Sequence, residues 1–103
     1  MNKMEAQRQV EEIMTTFDFE AVRAYMKLTN WTWRSEGVPT LESIQSQARD
    51  VMQTAIQSQY TEPEHAYTAC GGFEARIDQW WGAGLFHLTL AFVPFRMERS
   101  FQG

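Results

Sequence analysis

The chain has 103 residues, the length of one small domain, and its 44% hydrophobic and 14% aromatic content is enough apolar material to close one core, which excludes a disordered chain. A formal charge of -4, from nine basic and thirteen acidic side chains, argues against a nucleic-acid binder, because phosphate contacts need clustered Lys and Arg. No apolar run approaches the roughly 18 residues that a membrane span needs, so the expectation is a soluble, mildly acidic single domain over residues 1–103 with no membrane attachment.

The elements follow in chain order. Val10, Ile13, Met14, Phe17, Ala21, Ala24, Tyr25 and Leu28 recur at the spacing of one helical face. Thr15, Thr16 and Asp18 interrupt it with cap-forming side chains, so either one helix with a weak middle or two consecutive helices fits; a break near Thr16, with Asp18 accepting from the backbone of Glu20 or Ala21, is preferred. Asn30 is the expected stop. Residues 31–34 place Trp31 and Trp33 on one side of an extended segment and predict a short strand, with Phe73 or Phe92 as neighbours of the indoles. A turn over 35–37 leads to Thr40, a helix N-cap with Glu42 favoured by the dipole, and Leu41, Ile44, Ala48, Val51, Met52, Ala55 and Ile56 hold one apolar stripe.

Pro63 ends that helix, and from Tyr67 the period changes to two. Tyr67, Ala69, Phe73, Ala75 and Ile77 are assigned to one face of a single strand, with Gly71 and Gly72 as a bulge inside it. Residues 79–84 supply a turn. The last strand buries Phe86, Leu88, Leu90 and Phe92, and Pro94 ends its pairing. The expected fold is α+β, ordered helix, short strand, helix, strand, strand, with two main helices on one face of a small antiparallel sheet and residues 31–34 at an edge. Phe95, Met97 and Phe101 follow Pro94 as an apolar tail poorly placed to join the core, which predicts a homodimer or larger oligomer.

Chemistry is sparse. Cys70 is the single cysteine, so no intramolecular disulfide forms, and residues 1–14 are charged and lack the apolar run of a secretory leader; a reducing, cytoplasmic location is expected. Cys70 with His65 or His87 is the one thiol–imidazole combination available, but a strand cysteine is usually a small buried hydrophobe and no acid stands at an orienting spacing. Glu62, Glu64 and His65 are the densest set of potential ligands, without metal-site spacing, and the glycines match no phosphate loop, so no metal and no cofactor is expected. The unusual feature is Trp80-Trp81 beside Gly82-Ala83-Gly84, two large rings in a turn that ordinarily favours small polar residues. Adjacent rings cannot easily both point inward, so at least one is expected at the surface, where Trp is enriched at interfaces; the alternative is a cap over the end of the core.

The ordered pieces Phe17-Asp18-Phe19-Glu20, Asn30-Trp31-Thr32-Trp33, Gly37-Val38-Pro39-Thr40, Gly71-Gly72-Phe73-Glu74-Ala75 and Leu88-Thr89-Leu90-Ala91-Phe92-Val93 resemble small proteins encoded by bacteriophages and prophages. That resemblance implies a mobile-element setting in a bacterial host cytoplasm and brings no catalytic residues. The sequence thus points to a non-enzymatic interaction module that binds a host or phage protein through Trp80, Trp81, Gly82 and Phe95. Two alternatives compete: a small enzyme using Cys70 with His65 or His87, and a single-stranded nucleic-acid binder stacking bases on Trp80 and Trp81, for which Asp78 has the wrong charge.

Overall fold

In the computed structural model, which describes residues 2–32, 37–80 and 84–103 apart from the side chains of Pro63 and Trp80, Asn2 opens the first helix by accepting from the backbone N–H groups of Met4 and Glu5. Helix α1 spans Lys3–Thr16 and stops where Phe17 turns extended. Asp18 then caps α2, Phe19–Leu28, accepting from the Ala21 N–H at 3.0 Å. The two-helix reading of the first third is therefore the observed one. Asn30, at φ +53, closes the end of α2 in the left-handed region that Asn tolerates. Thr40 caps α3, Leu41–Thr61, by accepting from the Ser43 N–H, and a single 3-10 turn, Pro63–His65, leads into the sheet.

The sheet is an antiparallel meander in the order β1-β2-β3-β4, made of Tyr67–Cys70, Phe73–Trp80, Leu85–Phe92 and Phe95–Gln102. Among the described residues, three α-helices and four antiparallel strands make the fold α+β. Helix α3 lies over β1 and β2, and α1 over β3 and β4. Between them sit Phe73, Ala75, Ile77, Phe86, Leu88, Leu90, Phe92 and Phe101 from the sheet, against Val10, Ile13, Val22, Met26, Ile44, Val51 and Met52 from the helices, all buried. Helix α2 joins through rings: Phe19 stands 6.4 Å from Phe73, and Tyr25 meets Phe92 edge to face.

Three expectations need correction. Residues 67–77 are not one bulged strand: Gly71 and Gly72, with φ of +62 and +90, form a two-residue turn joining β1 to β2. Two successive positive φ values are the signature of the type I′ hairpin turn, and paired glycines supply both without steric cost. The turn exchanges the faces of β1. Thr68 and Cys70 share the helix side with Ala75 and Phe73, while Tyr67 and Ala69 join Arg76 and Glu74 on the open side.

The residues after Pro94 are not a loose tail. Val93 and Pro94 turn the chain between the paired residues Phe92 and Phe95, and β4 then runs the whole length of β3, burying Phe101 and packing Met97 and Phe95 at the core margin. Alternation of apolar and charged residues from Phe95 onward is itself a strand pattern, which the proline obscured.

Trp31 and Thr32 form no strand. The Trp31 N–H donates to the Met26 carbonyl at 2.8 Å, so the segment is tied to the end of α2, and β1 rather than residues 31–34 forms that edge of the sheet. Its indole does pack on Phe92, as the spacing suggested. Trp33 and Arg34 lie outside the described residues.

Candidate functional site

The helices α1, α2 and α3 lie on one face of the sheet, and among the described residues nothing covers the other. Residues directly opposite one another on antiparallel strands share a face, so the register lays out three rows across it: Tyr67, Arg76, Thr89 and Glu98; Ala69, Glu74, Ala91 and Arg96; Asp78, His87 and Ser100. On β3 the middle of these rows is occupied by the short side chains of Thr89 and Ala91. Taller groups flank them, with Tyr67, Glu74 and Arg76 on one side and Arg96, Val93 and Pro94 on the other. The result is a groove of about 260 Å3 with a floor of short side chains and charged walls.

Its charges are unevenly matched. Arg96 pairs with Glu98 at 3.2 Å, both side chains being more than half exposed. Arg76 lies over the Tyr67 ring, 5.9 Å from its centroid, and makes no ion pair among the described residues. Partial desolvation first, and the neighbouring Glu74 carboxylate second, push the Tyr67 phenol above its usual 10.0, against the pull of Arg76. A guanidinium held over a ring and turned to an accessible groove suits recognition of a carboxylate. Val93, 73% exposed, puts an apolar rim at one end.

The third row carries a second polar contact, in which Ser100 Oγ and His87 Nδ1 stand 2.8 Å apart. Asp78 faces His87 across the β2–β3 pair. Ser100 lies exposed on the surface of the sheet, and neither residue lines the groove. A hydroxyl bonded to an imidazole there links β3 to β4.

Of the residues singled out from sequence, Trp80 is not in the turn expected over 79–84: Gln79 and Trp80 end β2, their backbones paired with Phe86 and Leu85. Trp81 and Gly82 lie outside the described residues. Phe95 is half-buried, lines the groove and meets Tyr25 at 5.9 Å, so it links the core to the open face. Cys70 is exposed at the end of β1, on the helix side, whereas His87 belongs to the open side. His65 Nδ1 bonds Glu62 at 2.9 Å. The structure does not assemble these three into a catalytic group. Among the described residues, no three His, Cys, Asp or Glu side chains converge on a metal position, and no helix is long and apolar enough to cross a membrane.

The alternation of the late strands places Thr68, Glu74, Arg76, His87 and Thr89 on a mixed, solvated face; Thr68 lies instead on the helix side, opposite Ala75, and the alternation alone does not show the groove. Its walls need Tyr67, which the glycine turn brings across, and Arg96, which β4 brings back. The signal was the Gly-Gly pair read as a hairpin. Comparison with protein-family models, curated proteins and solved structures finds no match.

Proposed function

We propose that the chain is a non-enzymatic accessory protein, of the phage-encoded kind its sequence resembles, which acts in a bacterial cytoplasm by docking a host or phage protein on the open face of its sheet. One observation carries this reading: the groove along β3, where Arg76 is left without a carboxylate partner among the described residues, beside short side chains that let another surface approach closely. The partner chemistry that fits is a segment presenting a carboxylate to Arg76 and an apolar side chain to Ala91 and Val93. Trp80 and Trp81, following Asp78 along the chain, are the proposed aromatic anchors on the sequence argument that adjacent rings cannot easily both point inward. Separation of Cys70 from His87 on opposite faces of the sheet favours binding over thiol chemistry.

Affinity capture from bacterial lysate tests it, comparing the native chain with Arg76→Glu and with Trp80→Ser/Trp81→Ser. The proposal expects a protein retained by the native chain and lost by Arg76→Glu, with circular dichroism unchanged. Equal retention by native and Arg76→Glu protein contradicts the groove, and equal retention by the tryptophan variant contradicts the anchors. Activity lost in Cys70→Ser with capture intact would transfer the assignment to the enzyme alternative.

A further inference from the structure

The sheet ends on one side in a four-residue strand and on the other in β4, an eight-residue strand with nothing paired to its outer edge among the described residues. Backbone geometry settles which groups that edge presents. Phe92 and Phe95 close a two-residue turn and so exchange both backbone hydrogen bonds, and every second residue from Phe95 likewise bonds inward to β3. The same alternation appears at the far end, where the Gly103 N–H donates to the Gly84 carbonyl at 2.7 Å. The N–H and C=O groups of Arg96, Glu98, Ser100 and Gln102 therefore point away from the sheet. Such an edge is a template for another strand unless something blocks it.

The side chains along it are self-complementary. We infer that β4 pairs antiparallel with β4 of a second copy about a two-fold axis at Met97, giving a continuous eight-stranded sheet with both grooves on the same face. In that register Arg96 stands opposite Glu98 of the second copy and Glu98 opposite its Arg96, both as backbone-bonded pairs, and the ion pair already present within each strand becomes a four-charge cluster. Shifting the axis to Glu98 sets two carboxylates face to face, and shifting it to Arg99 sets two guanidiniums face to face; like charges directly opposite are destabilising. A strand decorated only to repel neighbours would carry one sign of charge. Opposite signs two residues apart on one face become partners under a two-fold rotation.

The pairing shares Arg96 with the groove wall but does not use Arg76, so a monomer that still captures its partner through Arg76 defeats the edge pairing alone. Its test starts with sedimentation velocity on the full chain across micromolar concentrations. A dimer is expected, weakened about tenfold by Arg96→Glu and restored by the charge swap Arg96→Glu/Glu98→Arg. In a Cys70→Ser background, single cysteines at 97, 98 and 99 then read the register under mild oxidation, Met97→Cys cross-linking fastest. A monomer at every concentration overturns the proposal, as does a dimer indifferent to Arg96→Glu. Preferential cross-linking of Glu98→Cys or Arg99→Cys overturns the stated register.

Discussion

The Trp31 indole meets the Phe92 ring edge to face, 5.2 Å between centroids, and both press on Gly72, where a Cβ would stand 2.8 Å from the indole Cζ2 and closer still to the phenyl ring. The β1–β2 turn is thus held against the end of α2 by a contact that only a glycine permits. Gly72→Ala adds backbone strain at φ +90 to this collision, and the expected loss is about 2 kcal/mol or more. Urea denaturation followed by Trp fluorescence measures it. An unchanged midpoint would mean that the rings do not rest on the turn.

Gln9 is the one polar side chain buried among the described residues, and its Oε1 accepts from Arg99 Nε at 3.3 Å while the same guanidinium reaches Glu12 at 3.6 Å. Arg99→Met leaves a dry amide oxygen beneath α1 and should cost about 1–3 kcal/mol. Gln9→Leu leaves Arg99 its Glu12 partner and should cost less. In the double variant no acceptor is stranded, so its loss should fall below the sum of the two. Strict additivity in a double-mutant cycle would show that the pair is not coupled.

Much of the helical layer was legible in the sequence, because caps and apolar spacing are local. Asp18 and Thr40 accept from Ala21 and Ser43 as their positions in the pattern require. The sheet was less legible for a reason of the same kind turned around. Whether Gly71-Gly72 bulges or turns depends on whether a neighbouring strand is there to accept the hairpin, which is a non-local fact, and a one-residue change of parity reassigns every side chain of β1. Pro94 misled in the same way: it ends β3, but the turn it sits in begins β4. The groove was hidden because its two walls come from the two segments whose pairing was misjudged.

Tyr67 provides a spectroscopic handle on one wall. Desolvation and Glu74 both hold its phenol protonated, so it should titrate above 10.0 in the native chain, and Glu74→Gln should bring the value down. The sign for stability follows: a phenol pKa raised in the folded state leaves stability intact below the unfolded value and erodes it as pH rises through the folded one. An NMR titration of the Tyr67 ring carbon checks this directly. A value unmoved by Glu74→Gln would remove the carboxylate from the immediate neighbourhood of the ring.

The open face of the sheet is the proposed working face, and alanine methyl groups report separately on that face, the helices and the core. Ala69 and Ala91 belong to the open face, Ala24 is exposed on α2, and Ala6, Ala48, Ala55 and Ala75 are buried in the core. Methyl NMR of alanine-labelled protein, before and after addition of the captured partner, should shift Ala91 most and Ala69 with it, and leave Ala24 in place. Movement of Ala24 with Ala69 and Ala91 stationary would put the partner on the helices and contradict the account.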